Sequence, residues 1–505
     1  MTSIHRIAIA LGLAASLATS LATPASAQVN AEQLAAISVP DELETPIGKL
    51  QFEAGAPTPE TAQTVYDYLD QMRGVQAFLD NQGAASMFAM RRAFRELGSK
   101  NSNQIIYYEK PMDAKSVWLV ANSQTVYFSN FLDLEKNGPT VMEVAPGTLG
   151  LLDSMWQKYV ADYGPVGPDK GKGGKYLILP PGYEGETPDG YFIVQSPTYG
   201  VWNIGRGFLK DGDPKPAVEN MKAHVRIYPL SKKKSPPKME FINVSGEDNN
   251  TVSPANLQFF EDMNQLVQEE PVDSLGPERR GVLRAIGIEK GKPFKPDARM
   301  KKILTDAANI GHASFRSLWW RPREDTNALY KGTSSRWMNG YPDRNTTFIK
   351  NGAMLLDART QMYTIGTGVT PAMATVVPGK GSDYTFVFLD AAGDRLDGAK
   401  SYKLTFPKDI PVANFWSIIV YDAQSRSILP TSQAGATLSS VFGGLAQNAD
   451  GSTDIYFGPK APKGKEKNWL ETTSEKTWFI CLRMYGATEP WLNKTWRPSE
   501  IELVK

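Results

Sequence analysis

Short apolar runs, cut at close intervals by Gly and Pro, constrain this chain more than any other feature. A run too short for a helix and bounded by turn residues fits a strand. Residues 116–122 alternate, with Trp118 and Val120 on one side and Val117 and Leu119 on the other. Residues 127–134, 140–144, 175–179 and 191–195 read as further strands, the last two separated by the turn Pro180-Pro181-Gly182. Strand character returns from Tyr341 onward. Residues 383–390 and 400–406 read as a hairpin around Gly393 and Asp397-Gly398, followed by strands at 415–421, 454–457 and 477–485. Many short, evenly punctuated strands argue for packed sheets of sandwich type and against a βαβ alternation.

Helical spacing fills the space between these regions. Residues 61–97 carry Val65, Leu69, Met72, Phe78, Met87, Met90 and Phe94 at helical intervals, broken at Asn81-Gln82-Gly83. Ser253-Pro254 predicts an N-cap and first helical residue for the stripe Leu257, Phe260, Met263 and Val267. Residues 279–286 and 297–318 complete a helical insert. The fold class is therefore mainly β with a helical insert. The domains are expected at 28–59 (an extended N-terminal arm), 60–245 (a helix plus a β-sandwich), 246–330 (helical) and 331–505 (β). Residues 230–250, with Lys232-Lys233-Lys234, read as a surface connection.

Residues 1–27 have the three parts of a cleavable export signal: a basic start at Arg6, an uncharged stretch over 7–21 and Ala25-Ser26-Ala27 as the cleavage site. The expected destination is the periplasm or the medium. The uncharged stretch is too short and too rich in Ala, Ser and Thr to span a bilayer, and no later stretch approaches the needed length. The net charge of the 505-residue chain is +1, which argues against nucleic acid or an anionic membrane as the main partner. Cys481 is the single cysteine, so no intramolecular disulfide exists. It lies in an apolar run and reads as a packed, inert thiol.

Beyond residue 27 only His224 and His312 remain, far apart and without metal-ligand spacing. This argues against a His-clustered zinc site; His312 reads as a packing or surface histidine. No phosphate loop, nucleophile elbow or zinc-protease motif is present. Asn448, Asp450, Ser452 and Asp454 alternate oxygens across a Gly turn, as do Asp390, Asp394 and Asp397 less regularly. Calcium suits such oxygens, and a polar hairpin turn explains them as well. No other cofactor is evident.

The two β regions resemble a pair of bacterial families, the domains of unknown function numbered 1254 and 1214. The first resemblance rests on residues 121–127, Phe131-Leu132-Asp133-Leu134, Gly173-Gly174-Lys175-Tyr176-Leu177, Pro180-Pro181-Gly182-Tyr183 and residues 201–206. The second rests on Leu396-Asp397-Gly398, Phe415-Trp416-Ser417, Tyr421-Asp422, residues 448–452, Gly458-Pro459, Asn468-Trp469, residues 482–486, Trp491-Leu492 and Trp496-Arg497-Pro498. The resemblance implies an immunoglobulin-like sandwich, a small helical domain and a jelly-roll-like C-terminal sandwich, with no settled activity. Two departures stand out. Gln124 occupies a position usually held by Asp, and residues 431–437 lack the Asn, Arg, Tyr cluster often found after the Tyr421 strand.

Candidate ligand-binding residues are Asn122, Thr125, Tyr127, Trp202, Arg206, Arg483 and Tyr485. Amide, hydroxyl and phenol groups at the 122–127 turn orient polar ligands. Arg206 suits a carboxylate, and Trp202 suits stacking on a sugar or an aromatic ring. The competing reading is that these residues tie two sheets together. Two functions follow: a hydrolase or lyase working in a cleft between β domains, with Asp133 or Glu143 as acid–base groups, or a non-catalytic binder of a carbohydrate or small organic ligand, associated with the envelope. A homo-oligomer is compatible with either.

Overall fold

The computed structural model describes residues 30–210, 212–323, 327–374 and 377–504; the export signal lies outside them. The chain forms two compact units, the first ending at Tyr68 and the second running from Leu69.

The first unit is not the extended arm that its composition predicts. It holds α1 (Ala31–Ile37), capped by the Asn30 side chain, and an antiparallel meander of β1 (Glu42–Thr45), β2 (Gly48–Glu53) and β3 (Ala56–Pro57). Helix α2 (Pro59–Asp80) starts here.

In the second unit, α3 (Gln82–Glu96) follows α2 across the expected break at Asn81, and most of it is buried. The N-terminal β region then runs through β4 (Gln104–Tyr107), β5 (Ser116–Val117) and β6 (Val126–Asp133), and the short helix α4 (Leu134–Asn137). It continues with β7 (Thr140–Val144), β8 (Leu149–Ser154), β9 (Tyr159–Tyr163), β10 (Gly174–Leu179), β11 (Phe192–Gln195) and β12 (Gly200–Gly207). Helix α5 (Lys215–His224) leads to β13 (Arg226–Pro229), β14 (Glu240–Asn243) and β15 (Asn249–Asn250). A six-stranded sheet has the order β14-β4-β6-β12-β8-β9, and a four-stranded sheet the order β11-β10-β7-β13. Phe128, Leu152 and Tyr163 of the first sheet share one core with Met142, Tyr176, Ile178 and Ile227 of the second.

Residues 116–122 depart from the expected strand. Only Ser116 and Val117 stay extended, and Val120 adopts a left-handed φ of 47°. The cause is tertiary: Val120 N donates to Arg426 O at 2.8 Å, and Tyr421 Oη donates to Ala121 O at 2.6 Å, so the C-terminal half takes the hydrogen bonds a sheet neighbour would make. Likewise residues 230–250 are more than a connection, since β14 closes one edge of the six-stranded sheet.

The helical insert comprises α6 (Leu257–Glu269), α7 (Pro277–Ala285) and α8 (Ala298–Trp320). The cap of α6 is Asn256, whose side chain accepts from Gln258 N, and not Ser253. The C-terminal region opens with β16 (Met338–Asn339), β17 (Ile349–Lys350) and β18 (Ala353–Met354). Helices α9 (Leu356–Ile365) and α10 (Pro371–Ala374) then interrupt a stretch expected to be strand-like. Helix α9 docks on α8, where Trp319 Nε1 donates to Gln361 O at 3.0 Å. Next come β19 (Ser382–Val387), β20 (Tyr402–Phe406), β21 (Val412–Asp422), β22 (Thr437–Ser439), β23 (Thr453–Gly458), β24 (Trp469–Glu471) and β25 (Trp478–Ala487). Helix α11 (Glu489–Leu492) and β26 (Glu502–Leu503) end the chain.

These strands form two sheets, β16-β19-β25-β21-β22 and β24-β23-β20-β26. The expected hairpin of residues 383–390 with 400–406 does not form: β19 pairs with β25, and β20 pairs with β23 in the other sheet. Leu396 and Tyr402 are buried where the chain crosses between them. Strand β25 is buried along its whole length between β19 and β21. Burial there pushes the Cys481 thiol up to about 11, which keeps it protonated and unreactive.

Gly205 on β12 shows how closely the N-terminal core is packed. A Cβ there would collide with the Phe128 ring and the Tyr163 hydroxyl. Gly205→Ala is expected to destabilise the second unit by about 1–3 kcal/mol, read as a lowered chemical-denaturation midpoint. An unchanged midpoint would contradict this packing.

Candidate functional site

The face of the six-stranded sheet turned away from its own core meets the β19-β25-β21 face of the C-terminal sheet. Between them lies a cavity of about 770 Å³. Its walls are mostly apolar: Met112, Trp118, Leu151, Ile204, Met373 and Phe386 contribute. Volume and character are those of a small-molecule site.

Six of the seven residues singled out from the sequence line this cavity: Asn122, Tyr127, Trp202, Arg206, Arg483 and Tyr485. Register explains why. Tyr127 on β6 pairs with Arg206 on β12, so both side chains leave the same face. On the opposite wall Tyr485 of β25 pairs with Ser382 of β19 and Phe415 of β21, and Arg483 with Tyr384 and Ser417. Thr125 is buried just before β6, beside the Tyr127 phenol.

Asn122 joins the two walls. Its Nδ2 donates to Tyr127 Oη at 3.0 Å and to Tyr485 Oη at 3.1 Å. The Arg206 guanidinium lies 5.9 Å from the Tyr485 ring centroid, and that of Arg483 5.9 Å from the Tyr384 centroid. Arg483 Nη2 donates to Val120 O at 2.9 Å and Ala121 O at 3.3 Å, whereas its buried Nη1 has no acceptor. Among the described residues neither arginine forms an ion pair. Arginines stay protonated in proteins, so one end of the cavity carries two positive charges balanced only by phenols, rings and carbonyl dipoles.

These charges act on the tyrosines. Burial alone would raise the Tyr127 phenol, but Arg206, the Asn122 amide, Thr125 and Arg483 together outweigh it and hold the phenol below its ordinary value. Burial dominates at Tyr485 and pushes its phenol up. The two phenols that share Asn122 therefore differ in acidity.

Sequence reading missed Asp162, which also lines the cavity. Burial pushes its carboxyl up to about 6, against the hydrogen bonds from Thr370 and Tyr159; Thr370 Oγ1 donates to Oδ2 at 2.7 Å. Asp153, one strand away on β8, accepts from Val369 N at 2.8 Å. Its carboxyl is raised well above the usual range, chiefly by burial. A charged residue inside the apolar runs 149–154 and 159–163 was the available signal. Tyr384, Asn414 and Lys380 line the cavity too and carried no motif.

Other sequence candidates lie elsewhere. Asp133 accepts from Lys136 N and caps α4, and Glu143 pairs with Lys175 and accepts from Tyr228; neither lines the cavity. Trp202 is buried, with Nε1 donating to Ser129 Oγ at 2.8 Å, so it forms a wall and not a stacking platform. The oxygens at 448–454 bond one another: Asn448 Nδ2 donates to Ser452 Oγ, and Ser452 Oγ to Asp450 Oδ1. Among the described residues no group of three or more His, Cys, Asp or Glu gathers. His312 accepts from Arg316 Nε at 2.9 Å and packs on Phe315. Burial, then Arg316 and Arg426, push it down to about 4. Among the described residues no helix is long and apolar enough to cross a membrane.

Two family matches cover most of the residues that wall this cavity, all but those from 340 to 380. Residues 102–229 match the family described as a protein of unknown function, DUF1254, and residues 381–489 match the one described as DUF1214. The chain thus carries the two segments in the N-terminal and C-terminal order that its motifs suggest. No curated protein matches it. Among solved structures, the VPA0106 protein from Vibrio parahaemolyticus is similar over 86% of this chain and 100% of its own, at 18% identity and a TM-score of 0.52. That likeness shows a shared fold. An uncharacterised protein from Burkholderia cenocepacia aligns over 88% of this chain and 97% of its own, at 11% identity and a TM-score of 0.40.

Two titrations test the site. Tyr127→Phe is expected to remove the earliest tyrosine ionisation seen by ultraviolet difference absorbance; an unchanged curve would refute the lowered phenol. For Asp162 the folded value lies above the unfolded 3.8, so its contribution to stability is complete below 3.8 and is lost as pH rises through about 6. The stability of Asp162→Asn relative to the parent should therefore rise by roughly 3 kcal/mol across that window. Parallel stability curves against pH would refute it.

Proposed function

We propose that this chain binds a small organic anion with an apolar body in the cavity between its two β regions. The observation that carries the reading is the pair Arg206 and Arg483, facing a mostly apolar cavity with no carboxylate partner. Buried charge is costly unless compensated, and an anionic head group would supply the compensation through charge-assisted hydrogen bonds. The apolar walls suit a hydrocarbon or aromatic body better than a sugar.

A lyase is the second reading, favoured by Tyr127. A phenol of lowered pKa beside two guanidinium groups suits removal of a proton next to a bound carboxylate, because the same cations stabilise the negative charge that develops. A hydrolase would need an activated nucleophile or water. The immunoglobulin-like and jelly-roll-like readings belong to the same proposal, supported by the paired sheets in each region. So does delivery to the periplasm or medium, supported by the signal-like residues 1–27.

Arg206→Met is the cleaner test, because Arg483 also holds backbone carbonyls. The expected result is a loss of aliphatic or aromatic carboxylate binding by roughly tenfold to a hundredfold in calorimetry, with the melting temperature little changed. Equal binding by parent and variant would overturn the proposal.

A further inference from the structure

The cavity holds charge of both signs on one sheet face, and the sheet itself keeps them apart. Residues paired across neighbouring strands point to the same side. Arg206 pairs with Leu149, Ile204 with Leu151, and Leu151 with Asp162. Asp162 on β9 therefore shares the cavity face with Arg206 on β12, two strands across and two residues along. With strands ~4.8 Å apart and a rise of ~3.3 Å per residue, their Cα atoms are on the order of 12 Å apart.

Asp162 is 7% exposed, and its residual exposure opens onto cavity space. Like the arginines, it forms no ion pair among the described residues; it is held only by hydroxyl groups, those of Thr370 and Tyr159. Leu149, Leu151 and Ile204 line the wall between the two ends. A second cavity of about 270 Å³, bordered by Tyr159, Phe192 and Gln195, adjoins at Asp162 and Val166, which line both. The acidic end thus has room for a small polar group, and the basic end for an anion.

We infer that the ligand is bifunctional: an anionic head held by Arg206 and Arg483, an apolar body along Leu149, Leu151 and Ile204, and a hydrogen-bond donor, hydroxyl or ammonium, given to Asp162. This rests on the anion-binding reading above and adds a polarity along the cavity. Asp162 sets the preference for the far end of the ligand and leaves the head group to the arginines.

The test is calorimetric titration of the full chain with hexanoate, octanoate and decanoate and with their ω-hydroxy and ω-amino counterparts. At one chain length the ω-substituted acid should bind about tenfold or more tightly than its parent, as one charge-assisted hydrogen bond allows. Asp162→Asn should abolish that preference for the ammonium without weakening the plain acid. Thr370→Val, which keeps the carboxylate, should retain it, so a variant that misfolds is recognised by its partner. Arg206→Met should weaken plain and substituted acids alike. Equal affinity of both kinds for the parent protein, or a preference for the ammonium that survives Asp162→Asn, overturns this inference. If Arg206→Met still weakens plain acids in that case, the anion-binding reading stands alone. If no acid of the series binds, or Arg206→Met changes nothing, both fall.

Discussion

The contact on which the site depends is between Arg483, at the centre of the most deeply buried strand, and the carbonyls of Val120 and Ala121. A guanidinium in that position needs acceptors. The carbonyls that meet it come from the 118–125 loop of the N-terminal region. Tyr421 donates to the same Ala121 carbonyl, and Val120 N is taken up by Arg426 O. The loop is thereby pulled out of strand geometry, and Asn122 is delivered to the point where it bridges Tyr127 and Tyr485. The residues that line the candidate site are also those that join the two regions.

That double use shapes the electrostatics. Contacts through carbonyls and phenols hold the halves together without bringing a carboxylate near the arginines. Asp162, which reaches the cavity, and Asp153, buried beside it on the neighbouring strand, are engaged by Thr370 and Val369 in the segment between α9 and α10. Among the contacts that hold the N-terminal region, Arg483 contributes on one side and these acids on the other, with the cavity between them. Burial raises the acids and the guanidinium groups lower Tyr127, so the groups facing the cavity have shifted acidities for opposite reasons.

Much of the local structure was legible. The break at Asn81, the strands at 140–144 and 175–179 and the three insert helices follow from period and punctuation. The errors have one kind of cause. The 116–122 segment has a strand's alternation, yet its hydrogen bonds go to another region. Residues 383–390 and 400–406 look like hairpin partners across a Gly turn, yet each pairs with another strand in a different sheet. Helix α9 was hidden because its amphipathic stripe is weak and its burial comes from α8 and α3. Asp162 carried no motif and became notable only when strand pairing placed it beside a void.

The sequence by itself determined that the chain is rich in short strands with helices between, that it has one cysteine and no disulfide, and that two family segments follow each other. Each of these is a local property of residue type and spacing. It also supplied the polar residues of the basic end, because the polar 122–127 turn and same-face spacing along two strands marked them. Only the tertiary structure decided that residues from positions as distant as Asn122 and Tyr485 share one hydrogen-bonded amide, that two arginines lack a carboxylate, and that Asp162 stands opposite them. Register and sheet order set those distances, and both depend on which strands meet across the sequence, a global competition for burial and hydrogen bonds that no local pattern records.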